Sequence, residues 1–144
     1  MSEVETWILK SALIERTMEL FHKIDRGVQP LDAYFAEVVD YTVVFAVEPV
    51  AKERETLLEE LQQEYLDELP RMRHDLGCFR CELEGDDSAR IYATGFRYTF
   101  LKDEDGGTVV KAAAADMECV FRVSDRRITA FLFDMSAVYM DTAG

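Results

Sequence analysis

The sequence predicts an α+β domain, helices first and a curling antiparallel sheet after them, on three observations. Helix-forming sequence fills the first half as far as Pro70. Long β-type runs occupy the chain from Cys78 onward, and those runs are separated by acidic, glycine-bearing turns. Helices segregated to one side of an antiparallel sheet are one of the few ways a chain of 144 residues can bury its apolar faces. A curved sheet closed over by three N-terminal helices forms a cone with an apolar pocket, and the expectation is one domain over residues 1–144.

The first helix opens at Ser2-Glu3-Val4-Glu5, a capping-box pattern, and stops at Arg26-Gly27, where glycine takes the left-handed conformation at no cost. Between them Trp7, Ile14, Met18 and Phe21 form an apolar stripe, widened by Ile8, Leu13, Leu20 and Ile24, which is read as the core-facing side. A second, short helix is predicted from Pro30-Leu31-Asp32 through Val39. Tyr41 to Val47, β-branched and aromatic, is a strand ended by Glu48-Pro49. The third helix runs from about Lys52 to Leu69, with Leu57, Leu58, Leu61, Tyr65, Leu66 and Leu69 on one face and a solvated acidic face opposite. Pro70 stops it, and Arg71 to Gly77 connects it to the sheet. Four strands follow, Cys78–Glu84, Ala89–Leu101, Thr108–Val123 and Ile128–Met140, joined by turns rich in Asp and Gly.

Sixteen basic residues against 29 acidic ones give a formal net charge of −13. Such a surface repels phosphate backbones and anionic lipid, which argues against nucleic-acid and membrane-surface roles and favours a neutral or cationic partner. No apolar run reaches the roughly 18 residues of a membrane span, and the acidic N-terminus lacks the basic-then-apolar layout of a signal peptide, so a cytoplasmic protein is expected. Three cysteines, an odd number, fit reduced thiols. Cys78-Phe79-Arg80-Cys81 matches CxxC, but it falls in a strand and has neither a second pair nor a histidine pair beside it; no metal is expected. No nucleophile motif, phosphate loop or dinucleotide fingerprint occurs, so no cofactor is expected either.

The order of elements resembles the nuclear-transport-factor-2-like superfamily, in its SnoaL-like and ketosteroid-isomerase-like branch. The local cues are Phe21 to Gly27, Tyr34-Phe35-Ala36 followed by Asp40-Tyr41-Thr42-Val43, and Val123-Ser124-Asp125-Arg126-Arg127-Ile128. Arg126 stands where members of the family commonly have glycine. The resemblance implies a cone-shaped barrel, commonly a dimer through the outer sheet face, that binds a small apolar molecule. Where such proteins are enzymes, their chemistry is cofactor-independent isomerisation, dehydration or cyclisation. The alternative is a non-catalytic dimeric interaction or ligand-binding module, since the fold alone does not settle function. A third, weaker alternative is epoxide hydrolysis, which needs a water-activating Asp-Arg-Asp set inside the cone.

Proton transfer in such a pocket needs a desolvated base and donors for a developing oxyanion. Three residues are candidates. His74 lies between the third helix and the sheet, where several SnoaL-like proteins carry a histidine, and the residue type suits acid–base work near neutrality. Glu48, before Pro49, resembles the catalytic Asp-Pro of ketosteroid isomerase. Asp116, in Ala112-Ala113-Ala114-Ala115-Asp116-Met117, matches that enzyme's protonated donor, although alternation puts Ala113, Ala115, Met117, Cys119 and Phe121 on the apolar face and Asp116 opposite. The isomerase's first-helix tyrosine falls near Leu20 and Phe21, which donate nothing. His22, at the edge of the apolar stripe, is a weaker candidate. Phe21, Phe45, Phe96, Tyr98, Met117 and Phe133 are expected to line the pocket, with the row Phe96, Tyr98 and Phe100 alternatively a dimer face.

Overall fold

The computed structural model describes residues 1–27, 30–42, 48–62 and 71–143. Helix α1 spans Glu3–Arg26, and a single 3-10 turn covers Asp32–Tyr34. After them come strands β1 (Phe35–Thr42) and β2 (Val50–Glu53), helix α2 (Arg54–Leu61), and strands β3 (Arg71–Leu83), β4 (Ser88–Lys102), β5 (Thr108–Arg122) and β6 (Arg127–Ala143). The six strands form one sheet in the order β2-β1-β6-β5-β4-β3, antiparallel throughout except for the parallel β1–β6 pair.

Among the described residues two α-helices stand where three were expected. Residues 35–42 are apolar enough for a short helix, but a run this short carries no decisive period. Val38, Val39, Tyr41 and Thr42 favour extended backbone, and β6 and β2 offer pairing on both sides. Side chains from elsewhere hold the turn before the strand. Arg127 donates to the carbonyls of Phe35 at 2.9 Å and Asp32 at 3.2 Å, and Arg16 donates to Ala33 at 2.6 Å. α2 is likewise shorter than predicted at its start, because Val50–Glu53 pairs with β1; it buries Leu57 and Leu61. The remainder of the predicted third helix, with Tyr65, Leu66 and Leu69, lies outside the described residues, as do residues 43–47 of the predicted first strand. β3 begins at Arg71, so the expected connection to the sheet is itself strand.

α1 has the ends its sequence specifies. Ser2 accepts the Glu5 N–H at 3.1 Å, and Gly27 closes the helix at φ 64° with its N–H on the Ile24 carbonyl. Its buried face, however, is Leu9, Leu13, Thr17, Leu20, Phe21 and Ile24, whereas Trp7, Ile8 and Met18 are exposed. The buried face is thus rotated from the predicted stripe, with Thr17 at its centre. Its hydroxyl donates to the Leu13 carbonyl at 2.9 Å, which lets a threonine sit at zero exposure in the middle of the core face.

The core lies between α1 and the concave face of the sheet, where Ile91, Ala93, Met117, Cys119, Phe121, Phe131 and Phe133 alternate inward. Cys78, at φ 52°, adds one residue to β3 between Gly77 and Arg80, and β6 carries a similar irregularity opposite Ala114 and Ala115. Such bulges bend the sheet and add twist. Of the cysteines, Cys78 is exposed while Cys81 and Cys119 are buried, and burial pushes the Cys119 thiol up to about 12. No described helix is long and apolar enough to cross a membrane.

Candidate active site

β3 enters the sheet with alternate side chains facing in, and His74 is one of them. Its side chain is only 3% exposed. Its ring lies 5.0 Å from that of Phe21 on α1 and meets the Phe133 ring edge-on at 5.5 Å. Phe131 stacks beyond Phe133, and Tyr41 stacks on Phe131. A histidine held this way needs a polar partner, and the last turn of α1 supplies it. Asp25 accepts the His74 backbone N–H through Oδ2 at 2.8 Å and engages Nδ1 of the ring through Oδ1. One carboxylate thus grips both the backbone and the ring of one residue. A neutral imidazole that donates from Nδ1 to this carboxylate carries its lone pair on Nε2, which is the tautomer a general base requires.

The position of Asp25 carries a cost. A helix C-terminus has partial negative charge, and a carboxylate in the last turn is disfavoured by roughly 0.3–1 kcal/mol. Lys23 and Arg26 in the same turn offset this, and the two contacts to His74 give the carboxylate its role.

Two spaces adjoin the dyad. An apolar chamber of about 20 Å³, lined among others by Phe21, Tyr41, Phe131 and Phe133, lies on one side of the imidazole. On the other, a wide cleft of about 1080 Å³ opens at the ends of β3 and β4, with Asp25 and His74 in its wall and Met72, Leu101, Arg26 and Lys102 among its lining. A buried base with an apolar chamber and an open approach can take a proton from a carbon acid that enters through the cleft.

Of the candidates, His74, Phe21 and Phe133 come together here. Met117 is 1% exposed in the core, paired across the sheet with Phe133. Phe45 lies outside the described residues. Glu48 is exposed ahead of β2, and Asp116 is exposed on the outer face of β5, opposite Thr94 and Asp134. Neither carboxylate has the desolvation that a pocket acid or base requires, so both expectations are corrected. Phe96 and Tyr98 are corrected too. The unbroken register of β4 buries Ala89, Ile91 and Ala93, which turns Phe96, Tyr98 and Phe100 to the outer face, where Phe96 and Phe100 are 43% and 40% exposed. His22 sits at the rim of the cleft with Nε2 3.2 Å from the Arg26 guanidinium. Sequence reasoning missed Asp25. The available signal was a carboxylate in the last helical turn, just ahead of the cap glycine, where the helix dipole disfavours it.

A curved six-stranded sheet backed by a long N-terminal helix, with its cavity at the helix end, is the nuclear-transport-factor-2-like fold. Solved structures share it. A hexachlorocyclohexane dehydrochlorinase, LinA type 2, aligns over 99% of this chain and 95% of its own, with a TM-score of 0.73 at 13% identity. The Kfla4162 protein of Kribbella flavida aligns over 95% of both chains with a TM-score of 0.59 at 17% identity. A phenazine biosynthesis-related protein of Pseudomonas aeruginosa, phzb2, aligns over 97% of this chain and 86% of its own, with a TM-score of 0.51 at 11% identity. At these identities the likeness is one of fold. No protein-family model matches the sequence, nor does any curated protein.

Proposed function

We propose that this protein is a cofactor-independent acid–base enzyme acting on a small apolar molecule, with His74 as general base and Asp25 as the residue that fixes its tautomer. The carrying observation is the double contact of Asp25 with the backbone and ring of a histidine that is 3% exposed, at the wall of an open cleft. The substrate enters the cleft and presents an acidic C–H to Nε2. The imidazole takes the proton, Asp25 stabilises the resulting imidazolium, and the carbanionic electron pair either expels a leaving group or shifts a double bond. Elimination and isomerisation share that first step. The name of the dehydrochlorinase neighbour makes elimination the reaction to try first. The protein is read as one domain working in the cytoplasm, and as a homodimer through its outer sheet face.

The test is a panel of chlorinated cyclohexanes and aromatic ketones, followed by chloride release and, in D2O, by loss of the exchangeable proton signal. Turnover or exchange by the wild-type protein should fall about 10²–10⁴-fold in His74→Ala. Asp25→Asn should lower kcat while leaving KM nearly unchanged, since Asp25 acts through the histidine. Activity untouched by His74→Ala would defeat the proposal, as would a panel with neither turnover nor exchange.

A further inference from the structure

The cleft beside the dyad runs around the free edge of the sheet. β3 is the edge strand, and its side chains alternate between the two faces. His74 and Met72 point to the concave side, so Arg73 and Asp75 point to the outer one. All four line the cleft. On β4, Phe100 also lines the cleft, and it stands on the outer face in the aromatic row with Phe96 and Tyr98. One wall of the cleft is therefore a strip of the outer sheet face.

That strip belongs to a patch unlike the acidic surface around it. The chain carries a net charge of −13, yet here β3 presents Arg73 and Asp75, β4 its three aromatic residues, and β5 Val110, Ala112 and Ala114. One cation and one anion leave the patch neutral. Directly opposed residues of antiparallel strands share a face, so the rows are continuous: Phe96 lies between Asp75 and Ala114, and Tyr98 between Arg73 and Ala112. Acidic charge resumes beyond it, where Asp116 stands opposite Asp134. Arg73 and Asp75 meet at 3.5 Å with side chains 67% and 54% exposed, a pair that solvent leaves weak and free to exchange partners. In a two-fold contact residue i meets j and j meets i, so each of the two finds its opposite charge on a second copy. A neutral aromatic patch bordered by both charges is complementary to itself, whereas the acidic surface around it repels its own copy.

The site has a matching need. At about 1080 Å³ the cleft is larger than the roughly 300–1000 Å³ that encloses a small ligand, and proton abstraction from carbon gains from a site closed to water. A body seated on the outer face beside Phe100 supplies a further wall.

We propose that this body is a second copy of the chain, related by a two-fold axis, and that each copy closes the outer side of the other's cleft. The inference rests on the acid–base reading for the use of the site and adds that the site is complete only in the pair.

The experiment is methyl NMR of the unliganded protein with the neutral nitroxide TEMPOL, which broadens the resonances it can approach. Sedimentation equilibrium is run on the same samples, in salt enough to screen the net charge. Met72, in the cleft wall, is assigned through Met72→Leu, and Met18, exposed on α1, is the reference. Phe96→Glu and, separately, Ala112→Glu place a charge in the patch without altering a residue of the cleft wall. Each is first checked for an unchanged melting temperature; if one melts early the other carries the comparison, and dilution of the wild type gives a third that needs no substitution. Wild type should sediment as a dimer with Met72 sheltered, the variants as monomers with Met72 broadened, and Met18 should behave alike in all. A monomeric wild type, or a Met72 broadened as strongly in the dimer as in the variants, overturns the inference. Turnover and exchange with the chlorinated cyclohexanes and aromatic ketones separate the two readings. A sheltered Met72 with neither turnover nor exchange defeats the general base alone. Turnover per chain that is equal in wild type and in monomeric Phe96→Glu defeats the shared site alone.

Discussion

Arg122 lies outside the site and illustrates how single residues hold the sheet's closing turn. At the end of β5 its guanidinium reaches Asp125 in the following turn at 2.5 Å and Glu37 of β1 at 3.3 Å, tying three segments together. Hydrogen bonds from Arg122 hold the Asp125 carboxyl below its ordinary range. Glu37 is lowered as well, first by its own backbone N–H and then by Arg122. A carboxyl depressed in the folded state contributes stability that is present in full above its unfolded pKa and is lost as pH falls through the folded value. Arg122→Ala should therefore lower the melting temperature at pH 7, and the gap from wild type should close as the pH falls below about 4, where free carboxylates protonate. Melting curves of the two proteins between neutrality and acid check this. A gap that stays constant down to acid pH would mean that Arg122 acts by packing its stem and not by charge.

At the scale of elements, the seam between β3 and β4 positions the dyad. Gly95 lies opposite Leu76, one row from the His74–Arg97 pair. A Cβ there would stand 1.9 Å from the Asp75 carbonyl oxygen, so any side chain must push β3 outward. Gly95→Ala should cost about 1–3 kcal/mol of stability as an overpacked contact. It should also loosen the contact of His74 with Asp25, because the strand that moves carries the histidine; thermal unfolding, with the histidine ring resonances as a second readout, checks both. An unchanged melting temperature would show that the strands can separate freely. This seam also marks the limit of what the sequence showed. The last three strands and their turns were legible, β5 most clearly because the alternation of Ala113, Ala115, Met117, Cys119 and Phe121 is unbroken, whereas β3 was legible only from Cys78 onward and its first half, Arg71 to Gly77, was not. The ends of α1 were legible because Ser2 and Gly27 are local signals. His74 was legible as a rare residue type, but its partner was not. Asp25 meets it across 49 positions of sequence, through a docking of α1 on β3 that no local pattern encodes. β1 was misjudged for a related reason: its extended state is set by β2 and β6, not by its own composition.

The whole molecule is a highly anionic particle, and among its described residues a row of aromatic side chains on the outer sheet face bears on its assembly. On the outer surface Phe96, Tyr98 and Phe100 stand in a row on β4. Across from them on β5 are the small or slender side chains of Ala114, Ala112 and Val110, and on β3 Asp75 and Arg73 flank Phe96 and Tyr98, leaving the rings of Phe96 and Phe100 exposed. Phe96 and Tyr98 contact each other at 6.2 Å. Exposed aromatic rows of this kind seldom remain open on a monomer. Two copies apposed through this face would bury the rings of both. A stable interface needs about 800 Å² per partner, which three aromatic side chains with the alanine floor beneath them can seed but not fill alone, so the flanking strands must join in. The net charge of −13 opposes that approach at long range, and salt screens it. Sedimentation equilibrium should therefore give a dimer that tightens as ionic strength rises. Phe96→Glu combined with Phe100→Glu should give a monomer that still folds, because neither ring is in the core. The same variant should keep the His74–Asp25 contact, since that dyad faces the other side of the sheet. A wild-type monomer at all salt concentrations would remove the outer face from the assembly and leave its rings without a structural role.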